Sequence, residues 1–147
     1  SVLEEIKELL VAFSPTTLNE IISLCSLEVL SEGNILFKIG EKSDALYFVL
    51  SGRMAVKQKT GFEERMQVVG LLDKGAVVGE GSLAMQPSRS TTVVAASPES
   101  KVVKIELSKL LKMIQEKPEA GVELYRICLQ SCSLRLRENT KRMAYIL

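Results

Sequence analysis

The sequence predicts an α+β chain that is mainly β: an eight-stranded antiparallel jelly-roll barrel flanked by N-terminal helices and a long C-terminal helix. Apolar residues recur at helical spacing before residue 25 and after residue 107. Between them lie eight short runs rich in β-branched and aromatic residues, separated by glycines. Many short strands at such spacing are typical of antiparallel barrels and jelly rolls.

The N-terminal segment predicts two helices within residues 1–25. Residues 2, 3, 6, 9 and 10 are apolar with Glu and Lys between them, which indicates an amphipathic helix over 2–10. Ser14 and Pro15 then fit the N-cap and the first position of a second helix that continues to Leu24.

The remaining elements are predicted from changes in the spacing of apolar residues along the sequence. The predicted strands cover 27–30, 35–38, 45–50, 54–59, 66–72, 77–78, 90–96 and 101–106. Thr60 and Gly61 are a candidate hairpin turn, a short helix is predicted over 108–116, and a long helix begins near Glu119 after Lys117 and Pro118. We therefore expect a single domain over 1–147, with helices in 1–25, the barrel in 26–106 and helices in 107–147.

Composition narrows the class of protein. The chain has 147 residues, of which 46% are hydrophobic and 25% charged, with a net charge of +1, so we expect one soluble globular domain. A net charge near zero gives no sign of the excess positive charge that nucleic-acid binding requires. The sequence shows neither a signal-peptide pattern nor the roughly 18 consecutive apolar residues of a membrane span.

Three cysteines, Cys25, Cys128 and Cys132, are too sparse for a disulfide framework and favour a reducing cytoplasm. Cys128 and Cys132 share a helical face, which could hold a metal. The chain has no histidine to complete such a site, so we expect core packing and no bound metal.

Residues 78–93 form a predicted cradle for a sugar phosphate. Gly79 permits a sharp turn, and 80–85 is a short helical piece, stopped by Pro87, whose first amides can hold an anion. Arg89 can grip a phosphate with its planar fork, and Ser90 adds a hydroxyl. Glu80 can accept hydrogen bonds from a sugar hydroxyl while Arg89 balances its charge.

Two other interpretations fit parts of this stretch. Residues 79–84 satisfy the dinucleotide fingerprint G-x-G-x-x-A after a strand, but a dinucleotide fold needs a long helix there and Pro87 ends the helical piece within about two turns. The stretch could also be a surface loop with a solvated arginine, as is usual for surface charge.

The stretch V-G-E-G-S-L-A-M-Q-P-S-R-S-T-T-V resembles the phosphate-binding cassette of the cyclic nucleotide-binding domain family, roughly aromatic-G-E-L-A, a short loop, then P-R-A/S-A-T-V. E-G-N-I-L-F-K-I-G-E at 32–41 and Y-F-V-L-S-G-R-M-A-V at 47–56 resemble the family's barrel turns. The resemblance covers about residues 13–105. Val78, Gly81 and Ser82 depart from the pattern, standing where it has an aromatic residue, Leu and Ala.

The resemblance implies specific roles. The Gly79 amide and Arg89 would hold the cyclic phosphate, and Glu80 would take the ribose 2′-hydroxyl. Ser90 matches a position that touches the phosphate and sometimes the base. The ligand-binding set expected in the cassette is Gly79, Glu80, Gly81, Ser82, Arg89, Ser90 and Thr91.

The long C-terminal helix carries a coiled-coil seam. Its members alternate spacings of four and three: Tyr125, Leu129, Cys132, Leu136, Asn139, Met143 and Ile146. We expect a parallel homodimer through residues 119–147, the alternative being a helix packed only on its own barrel. Asn139 could set the register of the dimer. By resemblance to catabolite-activator-like members, Asn139 and Thr140 could instead contact the base.

Together these features predict a cyclic nucleotide sensor, for cAMP or alternatively cGMP, that couples binding to the dimer helix. The alternatives are a degenerate dimerisation scaffold and a sensor of another effector. No catalytic residues are expected, because there is no histidine and no G-x-S-x-G elbow. No recognition helix is present, so we expect no direct nucleic-acid contact from this chain, and either an output domain elsewhere in a longer protein or a domain that acts alone on a partner. Arg135, Arg137, Lys141 and Arg142 are expected on the outside of the dimer helix.

Overall fold

The computed structural model describes residues 1–61 and 65–146 and confirms the predicted fold class. Two helices precede the strands and two follow them. The elements are α1 (Val2–Leu9), α2 (Pro15–Leu24), β1 (Cys25–Ser31), β2 (Ile35–Phe37), β3 (Ala45–Ser51), β4 (Met54–Lys59), β5 (Met66–Leu72), β6 (Val77–Val78), β7 (Thr92–Ala95), β8 (Glu99–Glu106), α3 (Leu107–Glu116) and α4 (Pro118–Ile146). A single 3₁₀ turn, Glu80–Ser82, stands between β6 and β7.

The strands form two four-stranded antiparallel sheets. Their orders are β1-β8-β3-β6 and β2-β7-β4-β5. Apolar side chains from both sheets meet in one cluster, which includes Phe37, Tyr47, Met54, Val93 and Val102. This cluster lies between the sheets because alternate residues of each strand point to the same face.

A second apolar cluster joins the helices to the outer face of the β3 sheet. Leu46, Phe48 and Leu50 of β3 face it, while Ala45, Tyr47 and Val49 face the first cluster. β3 is thus buried on both faces, which explains its unbroken apolar run. The four helices and the loop between α1 and α2 contribute mainly Ile6, Leu10, Phe13, Ile21, Leu110, Met113, Leu124 and Cys128.

The start of α2 is tied to α4 by a carboxylate distant in sequence. Ser14 stands at the N-cap position as expected, but its side chain makes no capping bond to its own helix. Its backbone N–H and its hydroxyl instead donate to Glu123, at 2.7 and 3.0 Å, and the buried Thr17 hydroxyl donates to the same carboxylate. These hydrogen bonds lower the pKa of Glu123, and the bond from Thr17 has the largest effect.

The predicted hairpin turn lies partly outside the described residues. Thr60 N–H donates to the Arg65 carbonyl at 2.9 Å, so the two ends of the turn are joined as a hairpin requires. Residues 62–64 fall outside the described part of the chain. Within residues 1–61 and 65–146, no helix is long and apolar enough to cross a membrane.

We expect Glu123→Gln to lower the free energy of unfolding by about 1 kcal/mol at neutral pH, because it weakens the hydrogen bonds that hold the start of α2. Urea denaturation of the two proteins measures this difference. Since the folded-state pKa of Glu123 lies below its unfolded value, the carboxylate stabilises above pH about 4.3 and loses its effect as the pH falls through the lowered value.

Glu8→Gln on the exposed face of α1 is the matched control for the Glu123 variant. It should leave the urea midpoint within the scatter of replicate measurements. Equal midpoints for both variants, or a parent-to-Glu123→Gln difference that persists at pH 2, would contradict the role given to the carboxylate.

Candidate functional site

A cavity of about 290 Å³ lies beside the 3₁₀ turn, against the sheet that contains β7 and β4. This volume is near the lower end of the roughly 300–1,000 Å³ range of small-molecule sites. Its walls combine apolar strand residues with charged and hydroxyl side chains of the 78–93 segment. They include Phe37, Ser43, Val56, Leu72, Val78, Gly79, Glu80, Gly81, Gln86, Arg89, Ser90, Thr91, Val93 and Arg135.

Arg89 is a buried cation in the wall of this cavity, only 5% exposed. Its guanidinium stacks 4.1 Å from the centre of the Phe37 ring, an arrangement that suits the planar Arg fork. Nη2 donates to the Ala45 carbonyl at 3.0 Å and Nη1 to the Ser43 hydroxyl at 3.4 Å. Burial lowers the pKa of Arg89 from its ordinary value.

Arg89 is incompletely neutralised by its surroundings. The nearest carboxylate is that of Asp44, whose Oδ1 lies 3.8 Å from Nη2 and whose side chain is largely exposed. The Nε atom of Arg89 is buried and has no hydrogen-bond partner within the described residues. Buried polar groups are nearly always paired, so this site has spare capacity for an anion.

Gly79 supplies the space into which the Arg89 guanidinium fits. Its φ is +78°, in the left-handed region, so a side chain there would be strained. A Cβ atom on Gly79 would stand 2.6 Å from Arg89 Nη1 and 3.1 Å from the Ala45 carbonyl oxygen. The glycine is therefore required both by the turn and by the arginine packed against it.

The Glu80 carboxylate is paired with α4 rather than with Arg89. Arg135 Nη2 donates to Glu80 Oε1 at 2.7 Å, and the Cys132 thiol lies 3.5 Å from the same oxygen. The direct partner of Glu80 is therefore Arg135, while the charge of Glu80 also acts on Arg89 through space and favours its charged form. The helix passes beside the 3₁₀ turn and brings Arg135 to the cavity wall, which corrects the expectation that Arg135 lies on the outside of the dimer helix.

The other predicted cassette residues divide into two groups. Gly81, Ser90 and Thr91 line the cavity together with Gly79, Glu80 and Arg89. Ser82 does not line it: its side chain is fully buried and its hydroxyl donates to the Gly79 carbonyl at 2.8 Å. The tight 3₁₀ turn directs this hydroxyl into the protein, so a contact between Ser82 and a ligand would have to come from its backbone.

Of the two ligand-contact residues predicted on α4, Asn139 and Thr140, only Asn139 lies at a cavity near the site. Asn139 lines a smaller cavity of about 130 Å³ that shares Val56, Leu72 and Arg135 with the first. Asn139 Oδ1 accepts a hydrogen bond from Arg142. Thr140 is exposed and lines neither cavity, and its hydroxyl donates to the Leu136 carbonyl of its own helix at 2.8 Å.

Cys25 and Cys128 pack in the apolar cluster beneath the helices, whereas the Cys132 thiol lies beside the Glu80 carboxylate. Burial raises the pKa of Cys128 to about 12 and that of Cys25 to about 11, so both remain thiols near neutral pH. Within the described residues, no group of three or more His, Cys, Asp or Glu side chains is placed to hold a metal.

Comparison with known proteins identifies the family. The family described as "Cyclic nucleotide-binding domain" matches residues 27–117, which include β2 to β8, α3 and every residue of the cavity wall except Arg135. The chain belongs to this family. The matched segment contains Gly79, Glu80 and Arg89, and ends just before α4 begins.

Curated relatives resemble the chain over part of their length. The lysophospholipase nte1 of Aspergillus terreus is 28% identical over 75% of this chain, which spans 7% of that protein. The cAMP-activated global transcriptional regulator CRP of Salmonella typhimurium is 27% identical over 74% of this chain, which spans 51% of it. The chain thus covers about half or less of the length of either relative.

A solved structure shows the same fold. The crystal structure of a cyclic nucleotide-binding domain from Methylobacillus flagellatus superposes with a TM-score of 0.87 at 22% identity. The alignment covers 99% of this chain and 84% of that one, so it includes the helices as well as the sheets.

We expect Gly79→Ala to lower the free energy of unfolding by more than Gly33→Ala does. Both glycines have φ near +80°, so each substitution carries the left-handed cost of about 1 kcal/mol. Only position 79 adds a clash, with Arg89, because nothing lies within 4 Å of a Cβ atom at Gly33. Urea denaturation of both variants separates the cost of the left-handed backbone from the cost of the clash. Equal losses of stability would mean that Arg89 is not packed against Gly79.

Proposed function

We propose that this chain binds a cyclic nucleotide in the cavity beside Arg89 and works as a regulatory sensor, without making or breaking bonds. The observation that carries the proposal is Arg89 itself, a buried cation with an unused Nε donor in the cavity wall. Removing such a charge from water is costly unless an anion compensates it. A cyclic phosphate provides that anion, with one negative charge and oxygens that suit the guanidinium fork.

The neighbouring groups suit the sugar. Glu80 Oε1 is occupied by Arg135, while Oε2 accepts no hydrogen bond from the described residues. This second oxygen is available for a ribose hydroxyl, which needs an acceptor. The hydroxyls of Ser90 and Thr91, also in the wall, add neutral donors on the Arg89 side of the cavity.

The base is proposed to extend towards α4. The smaller cavity adjoins the first through Val56, Leu72 and Arg135, and is bounded by β5 and by Asn139. Apolar strand residues provide a surface for a purine ring, and the Asn139 amide provides a polar group for its edge. We propose cAMP as the ligand, since the similar Salmonella regulator is named as cAMP-activated, with cGMP as the alternative.

Coupling to α4 is proposed to run through the Glu80 carboxylate. Arg135 joins this carboxylate to α4, and both side chains lie in the cavity wall. A ligand that hydrogen-bonds to Glu80 changes the charge environment of Arg135, so its binding energy can differ between two positions of the helix. Such a difference is what shifts a conformational equilibrium, typically by 1–3 kcal/mol.

The exposed side of α4 is proposed to be a homodimer interface. Leu129 and Leu136 of the predicted seam are 70% and 68% exposed, and Met143 and Ile146 are exposed as well. Four large apolar side chains at spacings of seven, seven and three along one helix match the seam of a two-stranded coiled coil. The three thiols are unpaired, which supports a reducing compartment such as the cytoplasm.

A scaffold without ligand is the rival proposal. It rests on the departures from the family pattern at Gly81 and Ser82. Against it, the cavity is lined by the full set of Gly79, Glu80 and Arg89, and Arg89 remains desolvated with a free donor. A scaffold gains nothing from a buried, unsatisfied cation.

We expect Arg89→Ala to weaken cAMP binding by about 2 to 5 kcal/mol, roughly 30-fold or more in Kd, because the charge facing the phosphate is removed. Isothermal titration with cAMP, and separately with cGMP, measures the loss. Arg53→Ala is the control, since Arg53 is an exposed arginine paired with Asp73 away from the cavity. Parent-like binding by the Arg89 variant would place the phosphate elsewhere, and no heat from the parent with either nucleotide would favour the scaffold.

We expect Leu136→Glu to convert a dimer into a monomer, because it places a charge in the apolar seam. Sedimentation velocity at several protein concentrations measures the association state. Leu134→Glu makes the same chemical change at an exposed leucine outside the seam and should remain dimeric. A monomeric parent, or equal behaviour of the two variants, would contradict the proposed interface.

A further inference from the structure

Gly81 and Gln86 interlock at the edge of the cavity. A Cβ atom on Gly81 would lie 2.4 Å from Gln86 Oε1 and 3.1 Å from its Cδ, so the Gln86 carboxamide occupies the space of a side chain at position 81. Gly81 lacks a left-handed φ, so its backbone alone does not demand glycine. Glycine is required at position 81 because the Gln86 carboxamide occupies the space of a Cβ atom there.

The backbone holds Gln86 in this position. Met85 has a φ of +61°, which is uncommon for a residue with a side chain and turns the chain back over the 3₁₀ turn. Gln86 N–H then donates to the Gly81 carbonyl at 3.0 Å. Strained backbone of this kind persists where the surrounding structure requires it, and here it sets Gln86 over the turn.

The Gln86 carboxamide is free to bind. It lines the same cavity as Glu80 and Arg89, and it makes no side-chain hydrogen bond to any described residue. A carboxamide carries two N–H donors and no charge, so it can bind a phosphate oxygen without the desolvation cost of a second cation. Glu80 on the neighbouring turn can only accept while ionised, so the two side chains differ in what they can bind.

Building on the proposed function, we propose that Gln86 is a further ligand-binding residue, which donates from its carboxamide to an oxygen of the cyclic phosphate. Gly81 is the positioning partner that leaves room for it. The pair replaces an apolar side chain at position 81 with a polar group from position 86. The departure of Gly81 from the family pattern is then a change in how the phosphate is held.

Isothermal titration of cAMP against Gln86→Ala, Gln86→Glu and Gln115→Ala tests the proposal. Gln86→Ala should weaken binding on the order of tenfold, the worth of one hydrogen bond to a charged group. Gln86→Glu should weaken it on the order of a hundredfold, because a carboxylate would face the phosphate. Gln115→Ala removes an exposed glutamine of α3 and should bind like the parent.

A double-mutant cycle tests the positioning role of Gly81. Gly81→Ala should displace the carboxamide and weaken binding about as much as Gln86→Ala, while the double variant should lose little more than either. Additive losses would refute the interlock, and a Gln86→Ala variant with the parent's Kd would refute the contact. Equal Kd values for Gln86→Ala and Gln86→Glu would refute the phosphate as its partner. A parent that binds neither cAMP nor cGMP would remove the proposed function and this inference together.

Discussion

The burial of one guanidinium group constrains the rest of the site. Arg89 is out of water, stacked on Phe37, and held by the carbonyl of Ala45 and the hydroxyl of Ser43. These neighbours are uncharged, and the nearest carboxylate, that of Asp44, is largely exposed, so the cation is oriented but incompletely neutralised. Phe37 and Ala45 belong to different sheets, so this arrangement depends on how the two sheets are positioned against each other.

Polar contacts between distant segments join the core to the helices. Glu80 and Arg135 connect the 3₁₀ turn to the middle of α4, whereas Glu123 connects the beginning of α4 to α2. Both are carboxylates that accept more than one donor. The position of α4 therefore depends on directional bonds as well as on the apolar cluster beneath its first turns.

Local sequence pattern predicted the elements well, because period and glycine placement are local properties. β4, β5 and β6 have the predicted bounds, and α2 begins at Pro15. The contacts that define the site were not predictable in the same way. The partners of Glu80, Ser14 and Gly81 depend on which side chains the fold brings together, or on a positive φ at Met85 that no local pattern indicates. The inward direction of the Ser82 hydroxyl was likewise not readable, because sequence alone does not show where a side chain points in a tight turn.

The length of α4 has a mechanical consequence. Its first turns are held in the core as far as Cys128, and about 18 further residues extend to Ile146, roughly 27 Å at 1.5 Å per residue. A rod fixed at one end is a lever. A tilt of about 10° around Cys128 would carry Ile146 by roughly 5 Å but would move Arg135 by only about 2 Å. A displacement smaller than a water molecule at the cavity is thus magnified at the tip of the helix.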